Sequence, residues 1–394
     1  MTVHLSLPQA RQFLASYHFQ PTTLPAIFEQ LGTVQYDPLN PVGRNPDLVF
    51  QARIPGYQVD DWQTAAYQDR LIYDAWDKQA CLVPVSDWPL RAIIRAHHRP
   101  YHDREILGLH PDLPRTIMAA IDSRGPLSSL EFEERARYGE RNSWYGITQI
   151  NRALRAMWVC GELLTHHRKN GRHYYDRPER VIPAKHFAQP LLADHDAYLR
   201  WIVARRIQAV GLLRLAADPA IWSVCGKAEG RKRVIAELLE EGTITQVTIE
   251  TLKTPYYIPT SALPLLDTTS IPADRMRILG PLDNLLWDRK NLQQLFNFSY
   301  IWEVYKPASQ RRWGYYVLPV FYKNRFIARL DSRLEKGIWT ISQWWWEDDV
   351  TPDADMLTDL TQMARAFLHY LRADGIQIPD HLDHATKVAL LAAG

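Results

Sequence analysis

Residues 147–176, "ITQINRALRAMWVCGELLTHHRKNGRHYYD", change period halfway along, and that change restricts the fold more than any other feature of the chain. Ile147, Ile150, Leu154, Met157 and Trp158 recur at intervals of three and four, the spacing of one helix face. Beyond Leu163 the pattern alternates about Asn170-Gly171, a pair favoured in two-residue hairpin turns because both residues tolerate positive φ. The preceding "GPLSSLEFEERAR" reads as an earlier helix capped by Ser128 or Ser129, with Glu131 and Glu133 near its positive end. Helix, helix, hairpin is the plan of a helix-turn-helix with a β wing.

The plan recurs twice more faintly. "RWIVARRIQAVGLLRLAADPAIW" predicts a helix, a turn at Gly211 and a second helix, and "EGRKRVIAELLEEGTITQVTI" a third helix ending at Gly242, with "LKTPYYIPT" as the returning strand. The first hundred residues offer an amphipathic helix, the segment "LPAIFEQLGTVQYD", a helix around 60–68 and "RLIYDAWDKQACLVP" as a wing. After about residue 270 the chain turns β-rich, with "YKNRF" and "LEKGI" as hairpin links, and closes on the helix "PDADMLTDLTQMARAFLHYLRAD". The expected class is α+β: winged-helix modules at 1–110, 111–190 and 191–270, then a C-terminal β-barrel with a closing helix at 271–394. Fourteen tryptophans, many in the final third and three in "SQWWWED", suit an aromatic β core.

Several function classes drop out. The formal charge is +2, so a surface for nucleic acid has to be local. Cys81, Cys160 and Cys225 are far apart, without a CxxC pair or Cys/His ligand spacing, and the adjacent histidines at 97–98 and 166–167 lack the i, i+4 spacing of helical ligands. No GxGxxG, Walker loop or GxSxG occurs, so neither a metal nor a cofactor is expected. No apolar run approaches the roughly 18 residues of a membrane span, and the N-terminus lacks the basic start of a signal peptide. A monomeric, cytoplasmic protein without membrane contact is the expectation.

Three polar clusters invite chemistry. Arg168, Lys169, Arg172 and His173 surround the hairpin tip, with no acidic residue between 163 and 175, and a solvated loop and a phosphate contact weigh equally. In "GPLDNLLWDRKNLQQLFNFSYIWEVYKP", Asp283, Asp288, Arg289, Lys290 and Glu303 read first as a structural salt-bridge network. A DNA-facing role for Arg289 and Lys290 is the lesser alternative. "LGTVQYD" ends with Gln35 and Asp37 two residues apart, an amide beside a carboxylate that could hold one water. Asp before Pro also starts turns, and from the heptapeptide alone the turn is the commoner reading.

"DNLLWDRKNLQQLFNFSYIWEVYKP", "RRWGYYVLPV", "QYDPLNPVGRNPDLV" and "QACLVP" together resemble the winged-helix bacterial DNA glycosylases related to YcaQ and AlkZ, over nearly the whole chain. The resemblance implies tandem winged helices and a C-terminal barrel. A Gln-x-Gln motif marks the AlkZ-like branch and Gln-x-Asp the YcaQ-like branch, and "QYD" falls in the second. It implies Gln35 and Asp37 as the catalytic pair and DNA contacts for Asn40 and Arg44. Two positions depart: Lys78 stands where the family has histidine, and the barrel's Tyr-Arg-x-Glu is Tyr300-Ile301-Trp302-Glu303. A charged Lys78 fits a phosphate contact. The implied activity is monofunctional hydrolysis of the N-glycosidic bond of alkylated purines, of the N7-alkylguanine type, in double-stranded DNA. An open groove would also admit bulky adducts and interstrand crosslinks. The rival is a non-catalytic winged-helix DNA-binding regulator, which leaves Gln-x-Asp without a purpose.

Overall fold

Helix ends follow local chemistry. Ser6 caps the helix Leu7–Phe19: its hydroxyl accepts the Gln9 N–H at 3.3 Å, and the Gln9 side chain accepts the Ser6 N–H at 2.8 Å. Thr23 caps Leu24–Leu31, which stops at Gly32 with φ +69°. The structure, a computed structural model, describes residues 2–132, 149–267 and 275–394. It divides into two units, Met1–Trp62 with Ile202–Gly394, and Gln63–Trp201.

In the first unit, the helix Ala228–Glu240 leads into the hairpin Ile244–Ile249 and Leu252–Pro259, and the opening strand Thr2–Leu5 lies parallel beside Ile244–Ile249. Five strands form a second sheet in the order Gly375–Gln377, Ile338–Trp346, Arg325–Glu335, Val317–Tyr322, Arg277–Ile278. Irregular pairing at Val320/Phe321 and at Asp331/Ser332 interrupts the two long ladders, and such bulges bend a sheet. The outer strands are two short segments, so the expected barrel is a half-barrel sheet. The closing helix is Ala354–Leu371, capped by Asp353, and its Phe367 ring lies 4.8 Å from the buried Trp339.

One expectation for this unit fails. The second helix foreseen after Gly211 does not form; turns occupy the chain until Ala228–Glu240 begins. Tertiary pairing takes its backbone: Leu213 exchanges hydrogen bonds with Tyr257 at 3.0 and 2.7 Å, and Arg214 forks onto Asp288 at 3.0 and 3.1 Å. The bridge and the fork hold Leu213 and Arg214 out of helical geometry, and beyond them Ile221, Trp222 and Ser223 donate to the Asp218, Pro219 and Ala220 carbonyls, closing tight turns instead of a helix.

The second unit holds the hairpin Ile72–Trp76 and Ala80–Pro84, the helices Ala92–His102, Asp112–Arg124 and Gln149–Val159, and the hairpin Leu164–Lys169 and Arg172–Asp176. Ile150, Leu154 and Met157, on the helix face that the three-four spacing predicts, share one buried cluster with Ile117 and Ile121 of the helix Asp112–Arg124. Asn170 and Gly171 have φ of 51° and 76°, as their turn demands. The helix expected after Ser128, with Glu133 and Ile147, falls largely on 133–148, outside the described residues. Among the described residues no helix is long and apolar enough to cross a membrane.

His18 lies at the centre of the first unit, fully buried, with Nε2 3.0 Å from the Val210 carbonyl. Burial, then the Arg53 charge, pulls its pKa from 6.5 to about 4. Between those values the unfolded chain binds the extra proton. Stability from this group is therefore present above pH 6.5 and lost as pH falls, on the order of 3 kcal/mol by pH 4. His18→Gln is expected to flatten the fall in melting temperature between pH 7 and 4.5; equal slopes in the two proteins would contradict it.

Candidate active site

The segment after Val34–Gln35 is stitched to its surroundings almost residue by residue. Asn45, fully buried, donates to the Gln35 carbonyl at 2.7 Å and accepts the Leu282 N–H at 3.0 Å. The Pro41 carbonyl accepts the Leu334 N–H at 2.7 Å, and Val42 accepts the Tyr370 hydroxyl at 2.9 Å. Gly43 sits at φ +95° where a Cβ would lie 1.7 Å from that hydroxyl, so only glycine fits. Buried Asp47 accepts the Arg44 N–H at 3.1 Å, the Tyr57 hydroxyl at 3.0 Å and the Asp60 N–H at 2.7 Å. Burial still raises its pKa to about 6. This is a rigid mount for a short extended strand.

Gln35 is 7% exposed, and Asp37 is half-buried. Asp37 Oδ1 accepts the Leu39 N–H at 2.9 Å, while Oδ2 has no hydrogen-bond partner among the described residues. Burial raises the Asp37 pKa against the pull of that N–H. Tyr305 and Tyr316 report the same carboxylate, because burial and then its negative charge raise both phenols. Tyr316 is buried with its hydroxyl unpartnered among the described residues, whereas Tyr305 is 82% exposed. The Trp302 ring touches both, 6.1 Å from Tyr316 and 5.6 Å from Tyr305.

The loop carrying these aromatics is braced at both ends. Glu303 accepts from Lys306 and from the Trp313 N–H, each at 2.8 Å. Asp331 accepts the Tyr315 and Tyr316 N–H groups at 3.0 and 3.4 Å. Between the braces, Arg311 lies over Tyr315 at 4.9 Å and Arg312 over Trp313 at 4.6 Å. Arginine interleaved with exposed aromatics suits stacking on nucleic acid. The residue-by-residue reading gave Tyr305, Arg311 and Arg312 no role, although "RRWGYY" carried the signal for the two arginines.

The remaining expected residues scatter. Asn40 and Lys290 are exposed, and Arg44 pairs with Asp60 at 3.0 Å. Lys78, in the second unit, is half-exposed in the turn between two paired strands, next to Asp77, which is buried against Arg91 at 3.4 Å. On the basic hairpin, Lys169 and Arg172 are exposed. Arg168 is not: its side chain is 4% exposed, bound to Asp74 at 2.5 Å and to the Tyr67 hydroxyl at 3.0 Å. His173 stacks on Tyr175 at 5.3 Å, and burial holds its pKa near 3, so it carries no charge for a phosphate. Arg289 is likewise withdrawn. It lies 4.4 Å over Tyr300 and donates to the Pro281 carbonyl at 2.5 Å, and burial lowers its pKa to about 10.

The salt-bridge reading of this stretch holds for its three acids, with other partners, whereas among the described residues neither Arg289 nor Lys290 forms an ion pair. Asp283 pairs with Arg53, Asp288 with Arg214 and Glu303 with Lys306. Among the described residues no group of three or more His, Cys, Asp or Glu could hold a metal ion.

Two comparisons bear on this geometry. A family model described as DNA glycosylase AlkZ-like matches residues 28–370, a span that includes Gln35, Asp37 and the aromatic loop. The solved structure of Streptomyces sahachiroi DNA glycosylase AlkZ is similar in fold, with a TM-score of 0.65 at 14% identity, covering 96% of this chain and 100% of that one.

Proposed function

Because the chain belongs to the AlkZ-like DNA glycosylase family and is a DNA-repair glycosylase, we propose that it hydrolyses the N-glycosidic bond of N7-alkylated purines in double-stranded DNA, acting alone as a monofunctional enzyme. The observation that carries this is Asp37: one oxygen tied to Leu39, the other open, in a segment just after the Val34–Gln35 strand that is too well anchored to drift. An N7-alkylguanine already bears positive charge and departs as a neutral base, so little acid catalysis is needed. The open carboxylate oxygen stabilises the cationic sugar as the bond breaks and takes a proton from the attacking water. Gln35, two residues back in extended chain, orients that water or the sugar phosphate. Tyr305 and the arginines of its loop meet the DNA beside the lesion. An open site of this kind suits bulky adducts and crosslinks, whose tethered base cannot swing out.

We read the pairing of Gln149–Val159 and of Ala228–Glu240 with their following hairpins as winged helices. The module borders stay at 1–110, 111–190, 191–270 and 271–394. Limited proteolysis that cuts inside these modules in preference to their borders would remove that division. Asn40, Lys78 and Lys290 supply further phosphate contacts, with Arg44 held ready by Asp60.

The direct test is incubation with N7-methylated duplex DNA. Release of the methylated base, an abasic site, no strand nick and no borohydride-trapped adduct are expected. A trapped adduct that disappears in Lys78→Ala would make the enzyme a lyase instead. The basic hairpin has its own test: replacing Lys169 and Arg172 by alanine should lower the salt slope of DNA binding by about two phosphate equivalents. An unchanged slope returns the hairpin to a solvated loop.

A further inference from the structure

One hollow of the second unit has no part in the chemistry above. It is a cavity of about 310 Å³ walled by Trp76, Tyr101, His98, His102, Arg152 and Arg155, with Glu105 at its rim. That volume is at the lower end of the roughly 300–1,000 Å³ usual for ligand pockets, room for one nucleotide and not for a duplex.

Its walls divide by chemistry. Trp76 and the 54% exposed Tyr101 offer π surface. Arg155 is exposed and has no ion-pair partner among the described residues. Its guanidinium lies 5.9 Å over the Trp76 ring, at the outer limit of cation–π contact, a hold loose enough to exchange for a stronger anion. Arg152 spends one N–H on the Glu105 carbonyl at 3.0 Å, and the Glu105 carboxylate turns to Arg104 at 3.5 Å. Arg152 and Arg155 against the single carboxylate of Glu105 leave the lining net positive.

Two imidazoles complete the wall. His98 Nε2 is buried without a hydrogen-bond partner among the described residues, and a buried orphan of this kind calls for a missing group. Burial, then the neighbouring His97 and His102, brings His98 to about 4. His102 is lowered too, by burial and then by Arg155, against Asp103 and Glu105. Neutral imidazoles can donate or accept at a base edge. The i, i+4 spacing of His98 and His102 would also suit a metal, but no third ligand joins them among the described residues.

We propose that this cavity binds one unstacked nucleotide of the DNA, its base against Trp76 and Tyr101 and within reach of His98, its 5′-phosphate on Arg155 and Arg152. The nucleotide is not the excised one, since every lining residue falls between 76 and 159 and neither Gln35 nor Asp37 is among them. The proposal rests on DNA being the substrate, and its test reads binding apart from excision.

The probe is 2-aminopurine deoxyriboside 5′-monophosphate, whose fluorescence falls when it stacks on an aromatic ring, titrated with the full-length protein. Saturable quenching is expected, competed by deoxyadenosine 5′-monophosphate and much less by inorganic phosphate or by the nucleoside. Arg155→Ala should weaken binding about tenfold or more, the scale of one lost charged contact. Tyr101→Ala should weaken it several-fold, and melting temperature should not change, since both side chains are exposed. No saturable quenching, quenching indifferent to both substitutions, or equal competition by inorganic phosphate would each overturn the proposal. Base release from N7-methylated duplex is followed in parallel: quenching without release sinks the catalytic reading alone, and release without quenching sinks the pocket alone.

Discussion

Replacing Asp37 by asparagine is expected to lower base excision at least about 100-fold, some 2.7 kcal/mol of transition-state stabilisation, while DNA affinity should stay close to wild type. The substitution removes a charge and almost no volume. The asparagine carbonyl can still accept the Leu39 N–H, so the turn that Oδ1 now holds at 2.9 Å is preserved. What changes is the open side of the group. A carboxylate oxygen that could face a developing cation and accept a proton becomes an amide that does neither. Single-turnover release of N7-methylguanine beside equilibrium binding to the same duplex measures both quantities. The phenols provide a control on position: with the negative charge gone, the titration of Tyr305 and Tyr316 should move down, since Asp37 helps to hold both up. Near-normal turnover in the variant would end the assignment of Asp37 as the catalytic carboxylate.

Asp283→Ala is expected to destabilise the unit formed by Met1–Trp62 and Ile202–Gly394 by about 3–5 kcal/mol. Arg53 forks onto Asp283 at 2.7 and 3.0 Å with both side chains fully buried. The guanidinium also donates to the His18 and Val49 carbonyls at 2.9 and 2.8 Å, and it lies 5.1 Å from the Phe19 ring. Burial alone would raise the Asp283 pKa, but Arg53 overrides it and keeps the carboxyl below the usual range. Without that carboxylate, a buried cation remains in the core without the counter-charge that now pairs with it. The exposed pair of Arg325 and Asp349, 3.0 Å apart, makes the contrast, and removing it should cost about 0–1 kcal/mol. Urea unfolding read for each of the two units would show the first loss in one transition only. A shift below about 1 kcal/mol for Asp283→Ala would mean that the core relaxes around the bare arginine.

Features set by neighbouring residues were legible in the sequence. The Asn170-Gly171 turn and the helix face of Ile150, Leu154 and Met157 sit where local stereochemistry puts them. Sequence also carried the family, through motifs spread from Gln35 to Pro319, because the types and order of residues survive where partners need not be known. It could not say what each charge does. Arg168 and Arg172 flank the same turn, yet one is buried on Asp74, 94 residues away in the chain, and the other faces solvent. Arg289 and Lys290 are adjacent, and only the second is exposed. The helix expected after Gly211 gave way to a bridge with Tyr257, and the barrel remained a half-barrel because its outer strands are short. Tyr305 sits within the field of Asp37 only through the folding of the intervening chain. Backbone preference acts over a few residues, so a sequence states it directly. The fate of a charge or an aromatic ring depends on which distant group reaches it and excludes water, and that only the tertiary structure decides.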